Sequence, residues 1–257
     1  MQRCVLLVLA MAAVVMLVGC GGGSGGGPTM YTYLSTHNLN PGSILRVDGA
    51  AEKVVLTRPS DSLTNLVLDG PTVTPPAVAA DWCYFCDALD GNKIYRADSS
   101  TVYTHSTFVR DLAVGPGGAL YFSESYGAGQ DGKIYRFDAA GKASLYYTVS
   151  IARVGFFTGN FAFSPGGTLY VSNGAINGAG VWQCPLVGDA TRVYKRTNDG
   201  NMLGFCFTNQ NTFLFTDGTG TLRRATVNGT TADSVFVSPK GNQYEDVVVS
   251  SNLYPKS

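Results

Sequence analysis

Asp111-Leu-Ala-Val-Gly-Pro-Gly-Gly-Ala-Leu-Tyr-Phe-Ser-Glu124 returns later in the chain as Asn160-Phe-Ala-Phe-Ser-Pro-Gly-Gly-Thr-Leu-Tyr-Val-Ser-Asn173. Each copy reads as two short strands joined by a tight turn. A weaker copy runs from Gly204 through Phe205-Cys-Phe-Thr-Asn to Phe213-Leu-Phe-Thr-Asp217, and edge copies begin at Asn65 and Asp246. The starting positions Asn65, Asp111, Asn160, Gly204 and Asp246 are separated by 46, 49, 44 and 42 residues. That is the spacing of one four-stranded blade of a β-propeller.

A second signature follows in each unit: Ile44-Leu-Arg-Val-Asp48, Ile94-Tyr-Arg-Ala-Asp98, Ile134-Tyr-Arg-Phe-Asp138 and the degenerate Leu222-Arg-Arg-Ala-Thr226. Its alternation is that of a strand, with Arg and Asp two residues apart and so on one face. Shorter strands come next, at 53–56, 101–105, 144–147, 192–195 and 234–237, which completes four per unit. The two ends of the chain complement each other: 245–250 reads as an innermost strand, and 31–56 supplies the other three strands of the same blade. Such closure hides two sheet edges that would invite aggregation. The expectation is therefore an all-β propeller of five four-stranded blades, with a truncated sixth begun by Asn252-Leu-Tyr-Pro-Lys-Ser as the alternative.

The composition agrees with that fold. There are 32 glycines, 11% aromatic residues and only 14% charged residues, which suits many short strands with tight turns and neither a helical bundle nor disorder. The formal net charge is +0 and the basic residues are scattered, so nucleic acid is not an expected partner. The N-terminus is a separate unit. Arg3 is followed by an apolar stretch from Cys4 to Gly19, too short to span a bilayer comfortably, and it ends in Leu17-Val18-Gly19-Cys20. This looks like a bacterial lipobox, in which Cys20 takes the lipid after cleavage. Residues 1–19 are then a signal peptide, 20–28 the lipidated cysteine with a Gly-rich tether, and 29–257 the propeller. A cell-envelope protein follows, periplasmic or surface-exposed, held to a membrane through lipid on Cys20, with a monomer expected.

The repeats resemble those of NHL-repeat and gluconolactonase-like (senescence-marker, regucalcin-type) propellers. The residues carrying the resemblance are the two long copies at 111–121 and 160–170, with Gly-Lys-Ile-Tyr-Arg at 132–136. In the gluconolactonase-like enzymes, acidic and amide side chains at the starts of the inner strands hold a divalent metal in the central channel. The resemblance implies Asn65, Asp111, Asn160 and Asp246 at the matching positions, with Gly204 interrupting the ring. It also implies a metal-dependent lactonase-like hydrolase in which Asp111, Asp246 and Glu124 ligate calcium or another divalent ion, which polarises a carbonyl or activates water.

The residues themselves point to one end of the propeller. The start of an inner strand and the end of its antiparallel neighbour open on the same side. Asn65, Asp111, Asn160 and Asp246 form one polar set there; His37, Asp87, Glu124, Asn173 and Asp217 form the second. Together they would surround a mouth able to bind a protein, a glycan or a small ligand. The competing use of such residues is to cap strands and satisfy turn backbone groups. Other motifs fail on context. Gly22-Gly-Ser24-Gly-Gly26 spells G-x-S-x-G inside the tether, and Gly127-Ala-Gly129-Gln-Asp-Gly132 spells G-x-G-x-x-G ahead of a strand where phosphate binding needs a helix. Cys83, Cys86, Cys184 and Cys206 are expected as buried thiols, with Cys83 and Cys86 facing opposite sides of one strand.

Overall fold

The computed structural model describes residues 32–36, 42–48, 50–58, 63–68, 83–87, 91–96, 100–124, 130–155, 157–173, 179–196 and 202–249. Blade 1 holds β1 (Thr32–Thr36), β2 (Gly42–Asp48) and β3 (Ala51–Arg58). Blade 2 holds β4 (Leu63–Leu68), β5 (Cys83–Asp87), β6 (Lys93–Arg96) and β7 (Thr101–Thr104). Blade 3 is β8 (Val109–Val114), β9 (Leu120–Glu124), β10 (Gly132–Phe137) and β11 (Ala143–Val149). A four-residue helix, α1 (Ile151–Val154), leads to blade 4, made of β12 (Phe157–Phe163), β13 (Leu169–Asn173), β14 (Gly180–Cys184) and β15 (Thr191–Lys195). Blade 5 is β16 (Phe205–Asn209), β17 (Thr212–Thr216), β18 (Thr221–Thr226) and β19 (Ala232–Val237). The last described strand, β20 (Tyr244–Val249), does not start a sixth blade. It pairs antiparallel with β1 and completes blade 1, so the described residues form five four-stranded sheets closed as a five-bladed propeller. The tail considered for a sixth blade lies outside the described residues.

The core explains why strands read apolar on both faces. It is split into five layers, one in each interface between neighbouring blades. Tyr33 and Ile44 of blade 1 pack on Cys83, Phe85 and Tyr95 of blade 2. Cys86 and Ile94, from the opposite face of blade 2, pack on Val109, Leu112 and Phe122 of blade 3. The same wedge recurs between blades 3 and 4, 4 and 5, and 5 and 1. Cys83 and Cys86 thus face opposite sides as the strand period requires. Cys83, Cys86, Cys184 and Cys206 are all unpaired by disulfide. Burial pushes the thiols of Cys83 and Cys184 up, which keeps them protonated and unreactive.

Repetition reaches the level of single side chains. In every blade a buried aliphatic residue of the third strand stands opposite a small residue of the second: Ile44 faces Ser35, Ile94 faces Cys86, Ile134 faces Ser123, Val181 faces Ser172 and Leu222 faces Thr216. A bulge follows that aliphatic residue in the pairing with the fourth strand in all five blades. Bulges increase local twist, and these recur at the same step of the ladder in each blade. The arginine of the repeated signature also has a packing role. It lies opposite a second-strand tyrosine in blades 1, 2 and 3, as Arg46 to Tyr33, Arg96 to Tyr84 and Arg136 to Tyr121. The guanidinium carbons of Arg96 and Arg136 stand 5.8 and 6.0 Å from those ring centres. The aspartate differs from the expected same-face strand partner in blade 3. Asp138 lies just past β10, where its Oδ1 accepts the backbone N–H groups of Ala140 and Lys142, both at 2.9 Å, and sets the turn.

Candidate functional site

Four of the five inner strands carry a polar residue of the repeat beside a bulge that breaks the ladder with the second strand; in blade 5 the shift falls instead near the end of β16, between Phe207 and Asn209. Register shifts fall between Thr64 and Leu66, between Val109 and Asp111, between Phe157 and Phe161, and opposite Ser35 and Thr36. In blade 3 the bulge turns Asp111 toward blade 4. One carboxylate oxygen accepts the N–H of Leu112 at 2.8 Å, and the other accepts the N–H of Phe161 on β12 at 2.8 Å. In blade 4 Asn160 does the same one step on, donating its amide to the carbonyl of Met202 at 3.2 Å. Ser123, beside Asp111 in the register, donates to the carbonyl of Gly159 at 2.6 Å. The first polar set therefore reaches forward around the ring.

Gly204 interrupts that set for a steric reason. A Cβ built there would lie 1.7 Å from Oδ1 of Asp246 and 2.5 Å from its Cα. Asp246 fills the space a side chain at 204 would take, and its Oδ1 accepts the N–H of Val247 at 2.7 Å, as Asp111 does with Leu112. Asp111 and Asp246 are 2% and 3% exposed, which is the condition under which a carboxylate is costly to ionise. Burial and the neighbouring charge of Asp246 hold the Asp111 carboxyl well above the ordinary carboxylate range.

The second set points the other way, because side chains alternate along a strand. Ser123 faces blade 4, so Glu124 faces blade 2, where its carboxylate meets Nε2 of His105, the residue just after β7. The Tyr103 hydroxyl lies 3.2 Å from Nδ1 of the same ring. Burial and the hydrogen bond to Glu124 push the Tyr135 hydroxyl up to about 12. Asp217 of blade 5 likewise faces back to blade 4. It accepts Arg196, which follows β15, at 3.5 Å, along with Arg223 at 2.7 Å and the N–H and hydroxyl of Thr219 at 3.0 and 2.5 Å. Burial alone would raise this carboxyl; the hydrogen bonds from Thr219 and Arg223 outweigh it and hold Asp217 below its usual range. Asn173 donates to the carbonyl of Val154 at 2.8 Å and accepts the N–H of Gly180 at 3.1 Å.

In blade 1 the position matching Glu124 is Thr36, one residue before His37, because Ser35 is the residue opposite Ile44. Thr36 is buried, and its hydroxyl accepts the N–H of Ser43 at 2.9 Å. His37 and Cys20 lie outside the described residues. Asn65 and Asp87 are placed on β4 and β5 by backbone only.

Both sets lie at one end of the propeller, and their described members hold neighbouring blades together from opposite faces. Asp111 and Asp246 are close enough to interact electrostatically, whereas Glu124 is turned to the other side of blade 3. The three do not fit one coordination sphere. Among the described residues no three His, Cys, Asp or Glu side chains are grouped to hold a metal ion.

Sequence reasoning missed several partners of these residues. His105 in blade 2 and Arg196 in blade 4 occupy the same place in their repeats, directly after the fourth strand, and that phase was the available signal. A further cluster closes the ring. Glu52 on β3 accepts the Ser238 hydroxyl at 2.5 Å, the Asn242 amide at 2.7 Å and the Tyr244 hydroxyl, so it ties blade 1 to the segment that feeds β20. A cleft of about 280 Å³ lies between the outer parts of blades 3 and 4, lined by Tyr147, Ser150, Arg153, Cys184 and Leu186.

No protein-family model matches the chain, and neither does any curated protein. Solved structures do match. A chain of the nidogen/laminin complex aligns with a TM-score of 0.55 at 10% identity, over 86% of this chain and 98% of that one. A gluconolactonase from Xanthomonas campestris, described as important in glucose secondary metabolic pathways, aligns with a TM-score of 0.53 at 16% identity, over 84% of this chain and 78% of that one. A putative gluconolactonase aligns with a TM-score of 0.50 at 14% identity, over 84% and 80%. At such identities the likeness is one of architecture: this chain shares the β-propeller fold of gluconolactonase-like proteins and of a chain in the nidogen/laminin complex.

Proposed function

We propose that this chain is a lipid-anchored β-propeller that binds a protein, glycan or small ligand across its mouth without chemistry of its own. The observation that carries this reading is the engagement of the polar residues at the mouth end. Asp111, Asn160, Glu124, Asn173 and Asp217 each bind a group of a neighbouring blade or the segment leading to it, so they serve as joints of a rigid ring. A ring of this kind presents loops on a fixed frame, which suits recognition. The lipobox-like Leu17-Val18-Gly19-Cys20 supports the anchor. More than one acyl chain at that cysteine would give stable attachment.

Metabolic labelling with a fatty-acid probe tests the anchor. Wild type takes up label and Cys20→Ser does not; equal label in both would overturn it.

The second reading is the lactonase-like hydrolase, favoured by the buried Asp111–Asp246 pair, whose mutual repulsion a divalent cation would relieve. A cation that binds only the folded form raises the melting temperature by mass action. Titration with calcium, magnesium, manganese and zinc to millimolar concentration separates the two readings. No shift with any ion supports the binding module. A shift that Asp111→Asn abolishes supports the hydrolase.

A further inference from the structure

We infer that the joint between blades 4 and 5 is a seat for one carboxylate group of an outside ligand, gripped by Arg223 with Arg196 adding charge, which rests on the mouth being the binding face and names the chemistry that it takes. The repeat breaks at this joint. The residue that follows the buried aliphatic of the third strand stands opposite an apolar residue of the second strand, on the face turned to the preceding blade. It is Leu45 opposite Leu34, Tyr95 opposite Phe85, Tyr135 opposite Phe122 and Trp182 opposite Val171. In blade 5 it is Arg223, opposite Phe215. Four blades close with an apolar residue there, so packing does not call for a guanidinium, and a side chain that breaks a local rule of the fold is where function is sought.

Three charged groups meet at the break. Arg223 donates through Nε to Oδ2 of Asp217 at 2.7 Å, and Arg196 donates to the same oxygen at 3.5 Å. The other oxygen accepts the N–H and the hydroxyl of Thr219. Those four donors match the roughly four acceptor positions of a carboxylate. Among the described residues the joint therefore sets two guanidinium groups against one carboxylate. Neutralising Asp217 does not account for both arginines: one would supply the charge, and Asn173 and Thr36 hold the same place in blades 4 and 1 without any. Arg196 is 9% exposed and its Cζ stands 5.8 Å from the centre of the Phe215 ring. Burial, with the neighbouring charge of Arg223, holds its guanidinium below the ordinary value against the pull of Asp217. An anion relieves that crowding of like charge. Arg223, at 27%, is the member that meets solvent. Its Nε bond to Asp217 is the one hydrogen bond of its side chain among the described residues, and it fixes the plane of the group while its two terminal nitrogens form a fork. Such a fork takes a planar carboxylate through two parallel bonds. One surplus positive charge also balances the single charge of a carboxylate, where a phosphate monoester carries about 1.5–2.

The test titrates the full-length protein in neutral detergent with sodium succinate, with a hexaglutamate peptide and, as a control of equal charge to succinate, with sodium sulfate, all at one ionic strength made up with chloride. Heat of binding and melting temperature are read together. Succinate or the peptide binding more tightly than sulfate is the expected result, and which of the two binds tells a free acid from an acidic side chain. An equal response to sulfate would overturn the seat. Arg223→Leu, which takes the residue of blade 1 at that place, should weaken binding about tenfold or more, and Arg223→Lys, which keeps the charge and loses the fork, should fall between the two. Where Arg223→Leu alone leaves Asp217 short of a partner and lowers stability, the double variant with Asp217→Asn reproduces the neutral pairing of Asn173 and Trp182 and should fold without binding either carboxylate. Binding retained in a folded Arg223→Leu or double variant would overturn the assignment. Asp199, outside the described residues, is replaced as well: probes that bind Asp199→Asn but not wild type would show the seat filled by the chain itself and would overturn an outside ligand. The metal titration and the acyl label involve neither arginine. Absence of probe binding thus removes the seat alone, and a metal shift abolished by Asp111→Asn beside intact succinate or peptide binding removes the non-catalytic reading and keeps the seat.

Discussion

Replacing Gly204 by alanine, the smallest change available, should cost as much as a large core defect. The Cβ would stand 2.5 Å from the Cα of Asp246, against an ordinary carbon–carbon contact of about 3.5–4 Å. Backbone cannot rotate away as a side chain can, so the first strands of blades 5 and 1 must separate by about 1 Å. That strains the layer in which Leu214, Leu222 and Phe236 meet Leu34, Tyr244 and Val247. Overpacking of this kind costs about 1–3 kcal/mol, and the upper end applies where backbone is the obstacle. For a domain of this size about 3 kcal/mol lowers the melting temperature by roughly 6–12 °C. Gly204→Asp sharpens the contrast. Read as an interrupted ring of ligands, the site would be completed by an aspartate at 204; read from the packing, it would unfold. Urea denaturation and thermal melts decide between them. Because Asp246→Ala removes the clash with Oδ1 and leaves the one with Cα, the Gly204→Ala, Asp246→Ala double variant should recover only part of the loss. A Gly204→Ala variant within about 0.5 kcal/mol of wild type, the usual range of a surface change, would refute the reasoning.

Two further outcomes follow from the electrostatics and from the closure. Asp111 has a carboxyl held above its unfolded value of about 3.9, so the folded state binds its proton more tightly. The stability it contributes is therefore fully present below that pH and falls as pH rises through the folded value; Asp111→Asn should flatten this fall, read as unfolding free energy in urea from pH 4 upward, and an unchanged slope would assign the pH dependence to other groups. Glu52→Ala strands the buried Tyr244 hydroxyl and removes three hydrogen bonds to a carboxylate, a loss of about 2–4 kcal/mol, and a chemical-denaturation midpoint equal to that of wild type would show that closure does not depend on this clasp.

Much of the fold was legible because a propeller repeats both its strands and its packing. The phase of Asn65, Asp111, Asn160, Gly204 and Asp246 located the five inner strands, and the incomplete units at the two ends required the shared blade that β20 and β1 form. The site was legible only in part. Spacing placed Glu124 and Asp217 at the mouth end, but not the direction in which they point, which depends on strand parity across a bulge. The bulges do not account for the one-residue displacement from His37 to Thr36: Ser35 opposite Asp246 and Thr36 opposite Tyr244 repeat Ser123 opposite Asp111 and Glu124 opposite Val109, so Thr36 is in phase and the ionisable residue beside it is not. His105 and Arg196 were out of reach for another reason. They belong to the preceding repeat, so their partnership with Glu124 and Asp217 exists only once the blades are set side by side.

The direction of those contacts separates structural from variable chemistry at the mouth. Asp111 and Asn160 reach forward, Glu124 and Asp217 reach back, and each blade between them is held from both faces. A residue that serves two blades cannot change without disturbing a neighbour, so substitution there reports on stability first. The position just before each of the five phase-marking residues differs from repeat to repeat: Thr64, Arg110, Gly159, Leu203 and Glu245. Arg110 and Gly159 constrain each other. The Cβ and Cγ of Arg110 lie over Gly159, where a Cβ would come within 2.0 Å of Cγ and where φ is +104°. A side chain at 159 would therefore displace the arginine from its place beside Asp111. Gly159 is held by three demands at once, since its carbonyl also accepts the Ser123 hydroxyl at 2.6 Å, so a substitution there would open a joint as well as move Arg110.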